Sequence, residues 1–129
     1  MANIIETRDP HGIRITCSVS QWNNHVALNH SIMEKNIDAV QRTIEDPDYI
    51  YESHDSDPPL DERRIYTRAD ASASYFPKIP NTHVVVSICG GSGEVVTAYP
   101  AKNPTSGSSG EVHHRFFRQL RISPTILPI

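Results

Sequence analysis

Two histidines, His25 and His30, stand five residues apart in the string that runs from Trp22 to Ser31. Imidazole is the side chain best placed to take up and release protons near neutral pH. At about 100° per residue a spacing of five sets two rings roughly 140° apart on a helix, whereas a zinc pair on one helix face needs a spacing of four. The pair therefore favours acid and base chemistry over metal ligation. Its bland alternative is two exposed or capping histidines. The run Arg63 to Arg68 is the one local basic cluster, and strand alternation sends Arg64, Tyr66 and Arg68 to one face and Arg63, Ile65 and Thr67 to the other. Arg64 and Arg68 would clamp a phosphate with their guanidinium forks, and Tyr66 between them would stack on a base. The competing reading is a solvated face neutralised by Asp61 and Glu62. Farther on, Thr97 and Tyr99 share a face opposite Val96 and Ala98, an outward pair of hydroxyls on an otherwise apolar strand.

These residues need elements to hold them. Ile13, Ile15 and Cys17 alternate with Arg14 and Thr16, which predicts a strand. Ser18 and Gln21 fit a capping box, in which the serine hydroxyl accepts a backbone N–H and the glutamine side chain reaches back. A short helix is expected from about Val19 to Asn29, with Trp22 and Val26 one turn apart. Ser31 and Glu34 form a second capping box, opening a helix whose Met33, Ile37, Val40 and Ile44 share one face and which ends before Pro47. The period then changes to two. Tyr49 to Tyr51 and Arg63 to Arg68 read as strands separated by a polar loop, and Thr82 to Cys89 and Glu94 to Tyr99 read as a hairpin around Gly90-Gly91-Ser92-Gly93. That glycine-rich turn joins two strands and precedes no helix, so it lacks the context of a phosphate-cradling loop. Nor does a Gly-x-Ser-x-Gly elbow occur.

The expected fold is α+β: N-terminal helices packed on one face of an antiparallel sheet of about four strands, leaving the other face open. Length supports one domain over 1–129, because 129 residues of which 37% are hydrophobic suffice for one modest core. The core is expected at about 13–99, with 100–129 a polar loop and C-terminal tail in which Val112 to Leu120 would form a short helix. The absence of a basic, apolar start and of a long apolar run leads to the expectation of a cytosolic protein with no membrane partner. The isolated Cys17 and Cys89 are expected as reduced core residues. A net charge of −3 gives no overall basic field, so nucleic-acid binding would rest on a local cluster.

Taken together, Trp22-x-x-His25-x-x-x-x-His30, the amphipathic helix, Thr43-Ile44-x-x-Pro47-Asp48-x-Ile50, Arg64-x-Tyr66 and Val95-Val96-Thr97-Ala98-Tyr99 resemble the phage-associated nuclease-like domains of the barnase, EndoU, colicin and RelE superfamily. The resemblance covers about Ile13 to Tyr99. It implies helices on a four-stranded antiparallel sheet and a toxin-like endoribonuclease that cleaves RNA, often tRNA, without a metal or other cofactor. An immunity or antitoxin protein would be its partner. On this pattern His25 and His30 match the histidine pair, Arg64 the basic strand position, and Thr97 and Tyr99 the terminal Thr-x-Tyr, with Tyr66 and Arg68 as substrate-binding neighbours. The chain departs from the basic toxins in its acidic balance and its histidine-bearing tail. Two other readings stand beside it: a noncatalytic phage or mobile-element binding module, and a metal-binding protein using His25, His30, His113 and His114.

Overall fold

A computed structural model describes residues 2–53 and 62–103, with side chains described outside 51–53 and 62. The chain opens with β1 (Asn3–Arg8) and β2 (Arg14–Ser18). A helical stretch follows, made of α1 (Val19–Gln21), a π turn (Trp22–Val26) and α2 (Ala27–Asn29). After a 3-10 turn (Ser31–Lys35) come α3 (Ile37–Glu45), β3 (Tyr49–Ser53), β4 (Glu62–Ala69), β5 (Asn81–Cys89) and β6 (Ser92–Ala101). The six strands form one sheet in the order β1-β2-β6-β5-β4-β3. The α+β class thus stands, but the sheet is larger than the four strands expected and is mixed, because β2 pairs with β6 in parallel.

The strand with no counterpart in the sequence reading is β1, whose Ile5 belongs to the core, so the core begins before residue 13. Its turn into β2 is built by Asp9, whose Oδ1 accepts from the backbone N–H groups of His11 and Ile13 at 2.8 and 2.9 Å. Gly12 supplies the positive φ of 86° that closes the turn. At the same end of the sheet, where β2 and β6 start side by side, Gly90 and Gly91 have φ of 61° and 87°, which makes the β5–β6 connection a two-residue turn of the mirror-image kind that suits strand twist. Ser92 and Gly93 therefore lie in β6 and not in the turn.

Cap chemistry explains where the helices depart from expectation. Ser18 Oγ does accept from Gln21 N at 3.0 Å, but the Gln21 side chain turns away and donates to the Val96 carbonyl at 2.8 Å. Ser31 makes no side-chain cap, and the single helix expected from Ser31 is broken at Asn36. Buried Asn36 leaves helical geometry because its amide is claimed elsewhere: Nδ2 donates to the Ile32 carbonyl and Ser74 Oγ, and Oδ1 accepts from Ser74 N. Beyond the break Val40 and Ile44 are buried and Ile37 is only half-buried.

Helix α3 packs against β1, β4 and β5, and its apolar side joins Ile15, Trp22, Val26, Met33, Tyr66, Val84 and Val86 in the core. In a flat sheet β1 and β4 would stand about 19 Å apart, four strand spacings. Yet Tyr66 Oη donates to Asp9 Oδ2 at 2.6 Å. The sheet therefore curls around α3 until the β1–β2 turn meets β4. No helix among the described residues is long and apolar enough to cross a membrane. The expected tail helix, Val112 to Leu120, lies outside the described residues.

Candidate functional site

Register assigns each side chain to a face. Tyr66 stands opposite Val84 and Arg64 opposite Val86, while Val95 pairs with Val86 and Ala98 with Val84. Because these valines, Tyr66 and Ala98 are core residues, Arg64, Tyr66 and Arg68 lie on the face that the helices cover. The opposite, outer face carries the row Tyr49, Thr67, His83 and Tyr99 across β3, β4, β5 and β6. Thr97 stands opposite Val85 on that same face, and Arg63 opposite Ser87.

A bulge decides the placement of the two hydroxyls. Val85 pairs with Thr97 but Val86 pairs with Val95, so Val96 is an extra residue in β6. Without it Thr97 and Tyr99 would follow Gly93 and Val95 onto the core face; with it they turn outward. Only the first part of β6 is flanked by β2, from Ser92 to Glu94. Gln21 then occupies the bulge's carbonyl from the helical stretch that runs on along this edge. The π turn at Trp22–Val26 holds one residue more than an α-helical turn, which rotates everything after it; Trp22 and Val26 remain buried, and the chain leaves helical geometry at His30, with φ −138° and ψ 75°.

His30 is half-buried, and its ring centroid lies 5.6 Å from that of Tyr99 at a tilt of 39°. Tyr99 also meets His83, with centroids 5.3 Å apart. His83 is fully buried, and its Nε2 lies 3.1 Å from the Asn103 carbonyl. A carbonyl only accepts, so Nε2 carries the hydrogen. Thr67, its neighbour in the row, is also fully buried, and its Oγ1 makes no hydrogen bond among the described residues. Sequence reasoning passed over His83. Its signal was its place in β5, out of phase with Val84, Val86 and Ile88 and in register with Tyr99.

Of the residues expected to form a site, His30, Tyr99 and Thr97 come together on the outer face. His25 does not join them: it is exposed within the π turn and makes no hydrogen bond or ring contact among the described residues. Arg64, Tyr66 and Arg68 are separated from them by the thickness of the sheet. Tyr66 is fully buried, so it offers no surface for stacking. Burial, with the Asp9 hydrogen bond behind it, pushes its hydroxyl far above the usual phenol range. Arg64 approaches Asp9 Oδ2 at 3.8 Å and His11 Nδ1 at 3.5 Å. Arg68 lies 3.4 Å from Asp70 and 3.9 Å from Asp46. Among the described residues the carboxylates that face Arg64 and Arg68 are Asp9, Asp46 and Asp70. Asp61 lies outside the described residues, as does the side chain of Glu62.

Asp70 also takes an ion pair from Arg42 at 3.0 Å. Burial alone would raise its carboxyl, but the Arg42 and Ser72 hydrogen bonds and the charges of Arg42 and Arg68 outweigh it and hold the group below the usual carboxylate range. This cluster ties α3 to β4 and is structural. Cys17 is a buried core residue as expected, whereas Cys89 is exposed at the hairpin turn. Among the described residues no group of three or more histidine, cysteine or acidic side chains could hold a metal ion; His113 and His114 lie outside them. Compared with known proteins, the chain matches no family model, and no curated protein or solved structure is found to be similar to it.

Proposed function

We propose that the chain is a metal-independent, toxin-like endoribonuclease whose site is the outer face of the sheet around His30, Tyr99 and Thr97. The observation that carries this reading is the packing of a solvent-reachable imidazole, His30, on a phenol that also packs against a second, buried imidazole, His83. Cleavage of RNA without a metal requires a base that takes the proton of a 2′-hydroxyl as its oxygen bonds to phosphorus. It also requires an acid that returns a proton to the departing 5′-oxygen, and donors that hold the charge on the phosphorane. His30 serves the proton transfer. Thr97 and Tyr99 supply hydroxyl donors to the phosphate. Arg63, on the same face as Thr97, is the cation, taking the role that the sequence pattern gave to Arg64. His83 is sealed from solvent and holds the Tyr99 ring without touching substrate. RNA, tRNA included, is the substrate class, and an immunity protein covering His30 is the partner such a toxin requires.

The test is cleavage of bulk tRNA by the purified protein in the presence of EDTA. The wild type is expected to cleave, and His30→Ala to lower the rate by roughly 10²–10⁴ with an unchanged melting temperature. Intact tRNA with wild-type protein, or wild-type cleavage by His30→Ala, overturns the reading.

A further inference from the structure

The middle of the outer face is not the bare surface that a sheet packed on one side leaves to water. Ile65 stands opposite Val85 and so points outward with Thr67 and His83. Yet Ile65 is only 3% exposed, and Thr67 and His83 are 0% exposed. Ile65 also lies outside the hydrophobic cluster that the helices cover, so it belongs to a second buried patch on the far side of the sheet. An antiparallel face without a second layer carries polar, solvated side chains at such central positions. Among the described residues α3 is the helix that packs on both β4 and β5, and it does so from the covered side. A further layer must lie over Ile65, Val85 and His83.

The course of the chain at the end of β6 indicates which segment supplies it. Ala101 pairs with Asn81, and a straight continuation would carry Asn103 about 7 Å beyond that pair, two residues at roughly 3.4 Å each. His83 lies two residues the other way. The chain instead bends at Lys102, whose carbonyl accepts from Asn81 Nδ2, and the Asn103 carbonyl accepts from His83 Nε2, both at 3.1 Å. It therefore leaves β6 by doubling back over the outer face. Residues 104–129 follow, and in them Val112, Phe116 and Leu120 recur at the four-residue spacing of one helix side. At about 100° per residue these three and Phe117 fall within an arc of roughly 140°, while His114, Arg115, Arg118 and Arg121 occupy the opposite arc. A helix over Val112 to Leu120 would be about 14 Å long, the width of four neighbouring strands at roughly 4.8 Å spacing.

We infer that residues 112–120 dock as an amphipathic helix across the outer face, seating Val112, Phe116 and Leu120 on Ile65 and Val85 and turning the arginines to solvent. The tether selects this occupant over a second copy of the chain. A segment that begins nine residues after Asn103 is held near the face at a millimolar effective concentration, so it needs little affinity of its own. The inference goes beyond the ribonuclease reading and does not depend on it. Under that reading the docked segment lies beside Thr97 and Tyr99, and it is the part that must lift before RNA can enter.

The experiment reads the cover and not cleavage. In the full chain Val85→Cys places a thiol in the middle of the face, and Cys89, exposed at the hairpin turn, is the internal reference. Iodoacetamide at pH 8 is expected to label the introduced thiol about tenfold or more slowly than Cys89. Phe116→Asp, added to the same chain, puts a charge on the docking side of the segment and should raise that rate about tenfold. Arg118→Gln, on the solvent side, should leave it unchanged. Equal labelling of the two thiols without Phe116→Asp, or protection that survives Phe116→Asp, overturns the inference. So does protection that falls as the protein is diluted, which would assign the face to a second copy. Should Val85→Cys fail to fold, trypsin applied to the chain without it gives the answer. Cleavage after Arg115, Arg118 and Arg121 is expected to be about tenfold slower than in Phe116→Asp, and equal rates overturn the docking. A protected thiol in a protein that cuts no tRNA sinks the ribonuclease reading alone, and tRNA cleavage by a chain whose thiol is unprotected sinks the cover alone.

Discussion

The two faces of β4 carry arginines of opposite fate. On the covered face Arg64 lies near Asp9 and Arg68 near Asp46 and Asp70, around a Tyr66 hydroxyl that is itself bonded to Asp9. On the outer face Arg63 shares its side of the sheet with Thr97, Tyr99 and His83. Alternation alone makes the two sets equivalent. What breaks the equivalence is the turn at Asp9, which curls over the covered face and brings a buried carboxylate to Arg64, while Asp46 and Asp70 meet Arg68. Charge on the inside closes the fold, and the function proposed above assigns the charge on the outside to the chemistry.

The largest effect that can sharpen this contrast comes from the inner layer. Ile44 is fully buried on α3, where it packs within the core that the curled sheet encloses. Ile44→Ala is expected to cost about 2–5 kcal/mol, the range for truncating a core aliphatic side chain. Ile37→Ala, at the half-buried start of the same helix, should cost clearly less. Denaturant unfolding of both variants measures the difference. Equal losses would mean that α3 presents a different side to the sheet.

Arginine substitutions test the faces directly. Arg64→Ala takes a cation from beside a buried carboxylate, and Asp9 is 5% exposed. It should lower stability by about 1–3 kcal/mol while leaving cleavage per folded molecule unchanged. Arg63→Ala should do the opposite, with stability held and cleavage reduced about 10²-fold, the scale of losing one group that stabilises transition-state charge. Melting curves and rates on tRNA, read together, decide it. If Arg64 controls rate and Arg63 stability, the functional face is the covered one, and the outer-face assignment fails.

How much of this was legible beforehand follows from the range of the interactions involved. The hairpin, β2, the Ser18 cap and the Pro47 stop are set by neighbours in sequence, and they were readable. The alternation of β4 was readable too, but its sidedness was not, because it depends on Asp9, which lies 57 residues from Tyr66. Strand β1 escaped notice because Asn3 to Arg8 shows weak alternation, with Ile5 its only buried position. The break at Asn36 needed Ser74, a partner 38 residues away. Thr97 and Tyr99 were placed together and outward, although the agent that turns them, the Val96 bulge with Gln21 on its carbonyl, is again a long-range contact. His83 gave a signal of register that becomes meaningful only once Tyr99 is known to be opposite.

The smallest effect concerns the cysteines, which report inside against outside without any assay of function. Cys17 sits on the core side of β2, and burial together with the nearby Glu94 charge pushes its thiol up to about 11. Only the thiolate reacts with alkylating agents, so at pH 8 roughly one Cys17 in a thousand is in the reactive form even before access is considered. Cys89, beside the Gly90–Gly91 turn, is exposed. Iodoacetamide applied to the native protein at pH 8 is expected to add one carbamidomethyl group, at Cys89, and to add the second only after denaturation. Because alkylation at the turn leaves the core untouched, the melting temperature should stay where it was. Mass spectrometry of the intact chain and its peptides reads the result. Early labelling of Cys17 at a rate like that of Cys89 would show that the β1–β2 edge opens under native conditions. The curl that closes Asp9 onto Tyr66 would then not be a fixed property of the fold.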